Sequence, residues 1–105
     1  MLFFLRIETV SNPIVLPDKM PSSAVGELSR ILEAATSGLA AGSEIRLDAS
    51  GVRTVGALAA EMLLRFARGV EAGGSRMAIE PSADFEDDLR ILGLRNMLLR
   101  KDPAT

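Results

Sequence analysis

The spacing of apolar residues predicts a chain of alternating strands and helices. Residues 2–10 are rich in β-forming side chains and have one mostly apolar side. A Ser-Asn turn separates them from residues 13–16, a second short apolar run in which the proline comes first and removes no central ladder bond. We therefore predict an antiparallel hairpin over residues 1–16.

A loop over residues 17–21 leads into the first predicted helix. We expect Ser22 or Ser23 to cap this helix, because a hydroxyl oxygen can accept a hydrogen bond from a free backbone N–H. Gly38 and Gly42 are expected to mark the end of the helix and the loop that follows. Its apolar positions are Val25, Leu28, Ile31, Leu32 and Ala35.

A strand and a second helix follow. Residues 44–48 alternate polar and apolar side chains, which places Ile45 and Leu47 on one side of a strand. The helix is predicted from about residue 57 to residue 72 and ends at Gly73-Gly74. Its predicted apolar stripe consists of Leu58, Met62, Leu63, Phe66 and Val70.

The last predicted unit is a strand over residues 76–80 and a third helix that begins after Pro81-Ser82. The order β-β-α-β-α-β-α predicts a single α/β domain, with a mostly parallel sheet beyond the hairpin and helices packed on it. Residues 100–105 are expected to fray as a flexible tail. The inward-facing residues of the third helix are Phe85, Leu89 and Leu92, and a final apolar patch contains Leu94, Met97 and Leu98.

Composition removes several classes of chemistry. The 105 residues include no His and no Cys, so the usual nucleophile–base pairs and zinc ligands are missing. We predict no catalytic residue, metal site or cofactor.

The formal net charge is −2 and the basic residues are scattered, which does not favour a nucleic-acid partner. The apolar run at the N-terminus ends at Arg6, too early for a spanning helix or a signal peptide, so we expect a cytoplasmic protein without membrane insertion.

The most informative stretch is Ile45 to Leu64, IRLDASGVRTVGALAAEMLL. Together with Gly73-Gly74, the strand at residues 77–79 and the sequence Leu89-x-x-Leu92-Gly93-Leu94, it resembles the STAS domain of bacterial anti-sigma factor antagonists. The resemblance covers about residues 14–99. It implies the STAS fold and a non-catalytic protein that docks a protein partner through the start of its second helix. The partner would be an anti-sigma kinase, a related signalling ATPase or a chemosensory component.

Regulated members of that family carry Asp-Ser-Ser/Thr-Gly where this helix begins, and a partner kinase phosphorylates the second hydroxyl residue. The matching positions here are Gly56-Ala57-Leu58-Ala59, so Leu58 occupies the phosphoacceptor position. Leucine has no hydroxyl, and the resemblance therefore implies a contact without the usual phospho-switch. The residues expected to bind the partner are Ser50, Thr54, Gly56, Ala57, Leu58, Ala60, Glu61 and Arg65.

Five of these residues also have a simpler interpretation. Leu58 could begin the core stripe, since Met62 follows four positions later. Glu61 and Arg65 are four apart and could form a solvated ion pair. Ser50 could satisfy turn amides, and Thr54 could lie in a β-like connection, so modification of either hydroxyl is the less favoured alternative.

Two other functions and a homodimer stay open. A similar STAS subunit serves in phospholipid transport, so the chain could be an accessory subunit of an ABC transporter. An enzyme would need Asp48 and Glu61 as paired carboxylates beside a strand end. The apolar run Phe3–Ile7 could pair with another copy and form a homodimer.

The acids at 84, 86, 87 and 88 fit a helix start better than a metal loop, and Gly73-Gly74-Ser75 precedes a strand, unlike a phosphate loop.

Overall fold

The computed structural model describes residues 13–38 and 40–99. The predicted strand at residues 2–10 and the tail at 100–105 lie outside the described residues, so the hairpin and the frayed tail stay predictions. The elements are strands β1 (Ile14–Val15), β2 (Lys19–Met20), β3 (Glu44–Ala49), β4 (Thr54–Val55) and β5 (Arg76–Pro81), and helices α1 (Val25–Thr36), α2 (Ala57–Ala72), α3 (Ala83–Ile91) and α4 (Arg95–Leu98).

Strands β1, β3 and β5 form a parallel sheet with β3 in the centre. The alternation in β3 is confirmed, because Ile45 and Leu47 are buried on one face. On that face they pair in register with Met77 and Ile79 of β5. The intervening residues of β3 have polar side chains on the opposite face. The α/β class with a mostly parallel sheet is therefore confirmed.

The helices cover the apolar face of the sheet and enclose the core. The largest fully buried side chains include Phe85 and Leu89 of α3, Leu28 of α1 and Leu63 of α2. The predicted bounds of α2 and its end at Gly73 are also confirmed. Gly38, just after α1, has a φ of 71°, in the left-handed region that glycine accepts most readily.

The predicted apolar stripe of α2 is wrong in one important respect. Leu58 is 55% exposed, and the buried face of the helix is centred on Leu63 and Ala67 instead. Leu58 and Leu63 are five positions apart, which is about 140° around a helix with 3.6 residues per turn. The buried face also contains Ala59 and Ala60, whose small side chains allow close packing.

The loop predicted at residues 17–21 contains a strand. Lys19 and Met20 form β2, which pairs in parallel with Thr54 and Val55 of β4. The pairing is flanked by a backbone hydrogen bond from the Arg53 amide to the Asp18 carbonyl oxygen, 2.6 Å. A strand of two residues is too short to show a periodic pattern, which is why the sequence predicts a loop there.

The backbone also approaches closely at Gly56. Its amide donates to the Met20 carbonyl oxygen at 2.8 Å, and an added Cβ atom would lie 2.9 Å from the Ser22 backbone nitrogen. Any side chain at this position would therefore push against main-chain atoms. Glycine lets β4 end directly against the segment that precedes α1.

The predicted serine cap of α1 is wrong. Residues Ser22–Ala24 form a single 3-10 turn, and Ala24 occupies the N-cap position of α1 without a side-chain hydrogen bond. The Ala24 amide donates instead to the Pro21 carbonyl oxygen at 2.8 Å. The chain thus enters α1 through backbone hydrogen bonds.

The start of α3 is confirmed but its inner face is shorter than predicted. Ser82 caps the helix by accepting a hydrogen bond from the Phe85 amide at 3.0 Å. Leu92 was expected to face inward, yet it is 36% exposed. It follows the last residue of α3, and Gly93, with a φ of 79°, turns the chain away before Leu92 can pack.

Replacing Gly56 with alanine should destabilise the fold, because the new Cβ atom would displace the Ser22 backbone. We expect Gly56→Ala to lower the free energy of unfolding by about 1–3 kcal/mol. Gly26 lies in α1 with nothing within 4 Å of an added Cβ atom, so Gly26→Ala should be neutral or stabilising by about 0.5–1 kcal/mol. Urea denaturation of both variants makes the comparison, and equal stability of the two would contradict the close approach at Gly56.

Candidate functional site

The turn after β3 is organised by Asp48. Its carboxylate accepts hydrogen bonds from the Ser50 hydroxyl at 2.6 Å and from the Ser50 amide at 2.9 Å. These two bonds, the hydroxyl bond first, hold the pKa of Asp48 below its ordinary value. Ser50 was expected to satisfy turn amides, but here it donates and Asp48 is the acceptor. The Asp48 carboxylate therefore stabilises the turn after β3, and the ionised form of this carboxylate is favoured.

A carboxylate of α3 fixes the end of β4. Asp88 accepts a hydrogen bond from the Val55 amide at 3.0 Å, across 33 positions of sequence. Val55 itself is buried at the end of β4. Nearby, the Ser82 hydroxyl donates to the Val52 carbonyl oxygen at 2.5 Å. Helix α3 therefore contacts the segment before α2 at two points and holds it in place.

Helix α2 begins immediately after this fixed segment. Gly56 is its N-cap residue and offers no side-chain hydrogen bond to the first turn. Ala57 and Leu58 are exposed there. Ala60, in contrast, is fully buried, so its predicted contact with a partner is wrong. It lies on the inner side of α2 beside Ala59, where no partner can reach its side chain.

Glu61 and Arg65 are exposed on α2 but do not form the predicted ion pair. Within residues 13–38 and 40–99, neither side chain takes part in an ion pair or hydrogen bond. Two mobile charged chains in water gain little from pairing and lose rotamer freedom, which explains the outcome. Helical spacing places Leu58, Glu61 and Arg65 on one side of α2, since they are separated by three and four positions.

The other two expected contact residues lie before this helix. Ser50 is exposed in the turn that Asp48 organises, and Thr54 is exposed in β4, opposite Lys19 of β2. The β-like setting expected for Thr54 is thus confirmed. We define the α2 shoulder as Ala57, Leu58, Glu61 and Arg65, the predicted contact residues that share the exposed side of α2.

Three acids of the run at the start of α3 have individual partners. Glu86 accepts from Arg95 at 2.5 Å, Asp87 forms an ion pair with Arg90, and Asp88 holds Val55. The sequence assigns this run only to a helix start, which does not reveal the role of Asp88. No local signal could have revealed it, because the bonded amide is distant in sequence. Among the described residues, no three His, Cys, Asp or Glu side chains are grouped as a metal site would require.

Comparison with family models, with curated proteins and with solved structures finds no match for this chain. None of the helices in the described ranges is both long and apolar enough to span a lipid bilayer.

Removing the Ser50 hydroxyl should raise the pKa of Asp48 toward 3.8, because the larger of its two stabilising hydrogen bonds is lost. A lowered folded pKa stabilises the protein above about pH 4, and this contribution disappears as the pH falls through the folded pKa. Carbon-detected NMR titration of the Asp48 carboxyl group measures the shift. Ser50→Ala should titrate higher than the parent protein, whereas Ser50→Thr, which keeps a hydroxyl, should stay low. An unchanged pKa in Ser50→Ala would contradict this assignment.

Removing the Asp88 carboxylate should leave the Val55 amide without its acceptor at a partly buried position. We expect Asp88→Ala to lower the free energy of unfolding by about 1–2 kcal/mol. Among the described residues, the neighbouring Asp87 has only an exposed ion pair with Arg90, so Asp87→Ala should change stability by about 0.5 kcal/mol or less. Denaturant titration distinguishes the two. A larger loss for Asp87→Ala would show that α3 does not hold β4 through Asp88.

Proposed function

We propose that this chain is a non-catalytic, STAS-type protein-interaction module of bacterial signalling that docks a protein partner through the α2 shoulder. The observation that carries the proposal is the 55% exposure of Leu58 in the first turn of α2. The resemblance in sequence implies a docking point at this turn. The competing interpretation required Leu58 to be part of the core.

The position of Leu58 matters more than its exposure alone. Single apolar side chains are common on protein surfaces and need no partner. Leu58, however, follows a segment whose backbone is held from two sides, by Asp88 of α3 and by Met20 of β2. A side chain presented from a fixed backbone loses little conformational freedom on binding, which favours affinity.

The residues at the helix start also support a constitutive contact. Leu58 has no hydroxyl to phosphorylate, and the space at Gly56 excludes the aspartate that the regulated pattern carries there. Without an acceptor at this turn, a kinase cannot add charge to break the contact. The partner would then be an anti-sigma kinase, a chemosensory component or another signalling ATPase that binds independently of phosphorylation.

The carboxylates support a structural assignment over a catalytic one. Asp48 is one of the two carboxylates considered for an enzyme, and its hydrogen bonds with Ser50 favour the ionised form. A general acid near neutral pH needs the opposite shift. The hydrogen bonds of Asp48 with Ser50 give this carboxylate a structural role in the turn after β3.

Leu58→Asp should weaken capture of the partner about tenfold to a hundredfold, because burial of one leucine is worth about 1.5–3 kcal/mol. The measurement is a quantitative pull-down from the native cell extract, with the captured protein identified by mass spectrometry. Thermal stability should change little, since the side chain is exposed. Ile91→Asp is the matched control, because Ile91 is an 81% exposed apolar residue on α3.

Full capture by Leu58→Asp would contradict the proposed docking site. Loss in both variants would show that the effect is not specific to the α2 shoulder. The identity of the captured protein distinguishes the alternatives: an ATPase of the histidine-kinase type or a chemoreceptor complex fits signalling. Transporter subunits would instead assign the chain to an ABC transporter.

A further inference from the structure

A groove lies between the C-terminal end of α1 and the outer side of α2, further along the helix than Leu58. Its volume is about 460 Å³, within the range of small-molecule sites in proteins. Phe66 and Gly69 of α2 and Gly73 at its C-terminal end line it, at spacings of three and four positions. The groove was not visible in the sequence, because it depends on how the end of α1 lies beside α2.

Glycine creates the depth of the groove. An added Cβ atom on Gly69 would meet nothing within 4 Å, and Gly73 would meet only carbonyl oxygens of its own helix. The apolar surface comes from Phe66, which is half-buried, and from Val70, which belongs to the core. Apart from Thr36, Arg65 and Ser75, the walls are therefore apolar, and the space between them is open.

Arg65 is the one charged side chain among the described residues that line the groove. It forms no ion pair or hydrogen bond within residues 13–38 and 40–99. The polar Ser75 is already used, since its hydroxyl donates to the Ala40 carbonyl oxygen at 3.0 Å. The groove thus combines an apolar channel with one free cation, which complements a ligand with one anionic end.

We propose that this groove binds a small amphiphilic carboxylate, with the carboxylate at Arg65 and an unbranched apolar chain lying along Gly69 toward Gly73. The helix rises about 12 Å between positions 65 and 73. An extended chain of single bonds covers about 3.3–3.6 Å for every three bonds. An alkyl tail of about ten carbons therefore spans the distance of about 12 Å between these positions. The site goes beyond the proposed docking function and does not require it.

Decanoate is the probe, titrated below its micelle-forming concentration by calorimetry and followed by the amide NMR signals of Gly69 and Gly73. The proposal predicts saturable binding at one site. Arg65→Gln should weaken binding about tenfold, since a charge-assisted hydrogen bond is lost at an open site. Acetate and decyltrimethylammonium, which lack the chain and the negative charge respectively, should bind more weakly than decanoate.

Two glycine variants make the test specific. Gly69→Leu fills the groove and should abolish decanoate binding. Gly26→Leu, at an equally open helical position of α1, should bind like the parent protein. Absence of saturable binding, or unchanged binding by Gly69→Leu, would overturn the proposal, as would equal affinity for decyltrimethylammonium.

The test is independent of protein docking. Leu58→Asp should retain full decanoate binding, so failure of the docking proposal and failure of this one are distinguishable. If Gly69→Leu blocked capture of a protein partner while decanoate did not bind the parent protein, the groove would belong to a protein segment and the proposal would be wrong.

Discussion

The close approach of Gly56 to the segment Met20–Ser22 determines where α2 begins and what its first turn exposes. The backbone hydrogen bond from Gly56 to Met20 joins β4 to β2, and the absent side chain lets the Ser22 backbone lie against Gly56. Because α2 starts at the next residue, its orientation follows from this contact. The face centred on Leu63 is turned inward and Leu58 is left outside.

The rest of the site is built around that contact. Asp88 of α3 holds the Val55 amide from the other side, and Ser82 holds the Val52 carbonyl group. The segment between β3 and α2 is thus fixed by two long-range hydrogen bonds and one strand pairing. A surface presented by such a segment is preorganised, which is the physical basis for proposing it as a docking point.

The sequence was sufficient where a pattern is long and local. The bounds of α2, the alternation of β3 and the start of α3 after Pro81-Ser82 follow from periodicity and turn chemistry, and the structure confirms them. It was insufficient where distant segments meet. The pairing of β2 with β4 and the bond from Val55 to Asp88 join residues more than thirty positions apart, and nothing near either partner signals them.

The candidate site was predictable in part for the same reason. Spacing left Leu58 between core and surface, and its exposure follows from the contact at Gly56 together with the burial of Ala59 and Ala60. The same packing buries Ala60 and removes it from the predicted contact set. The spacing of Glu61 and Arg65 favoured an ion pair, but within residues 13–38 and 40–99 Arg65 forms none. Arg65 instead lines the groove beside Gly69, which only the packing of α1 against α2 reveals.

The most direct test of the central claim is the solvent exposure of the Leu58 methyl groups, measured by relaxation from a soluble paramagnetic probe. In the free protein they should relax as strongly as the methyl groups of Ile91 and far faster than those of Leu63. Saturation with the captured partner should protect Leu58 and leave Ile91 exposed. Protection of Leu58 in the free protein, or continued exposure in the complex, would contradict the proposal that a partner docks at the start of α2.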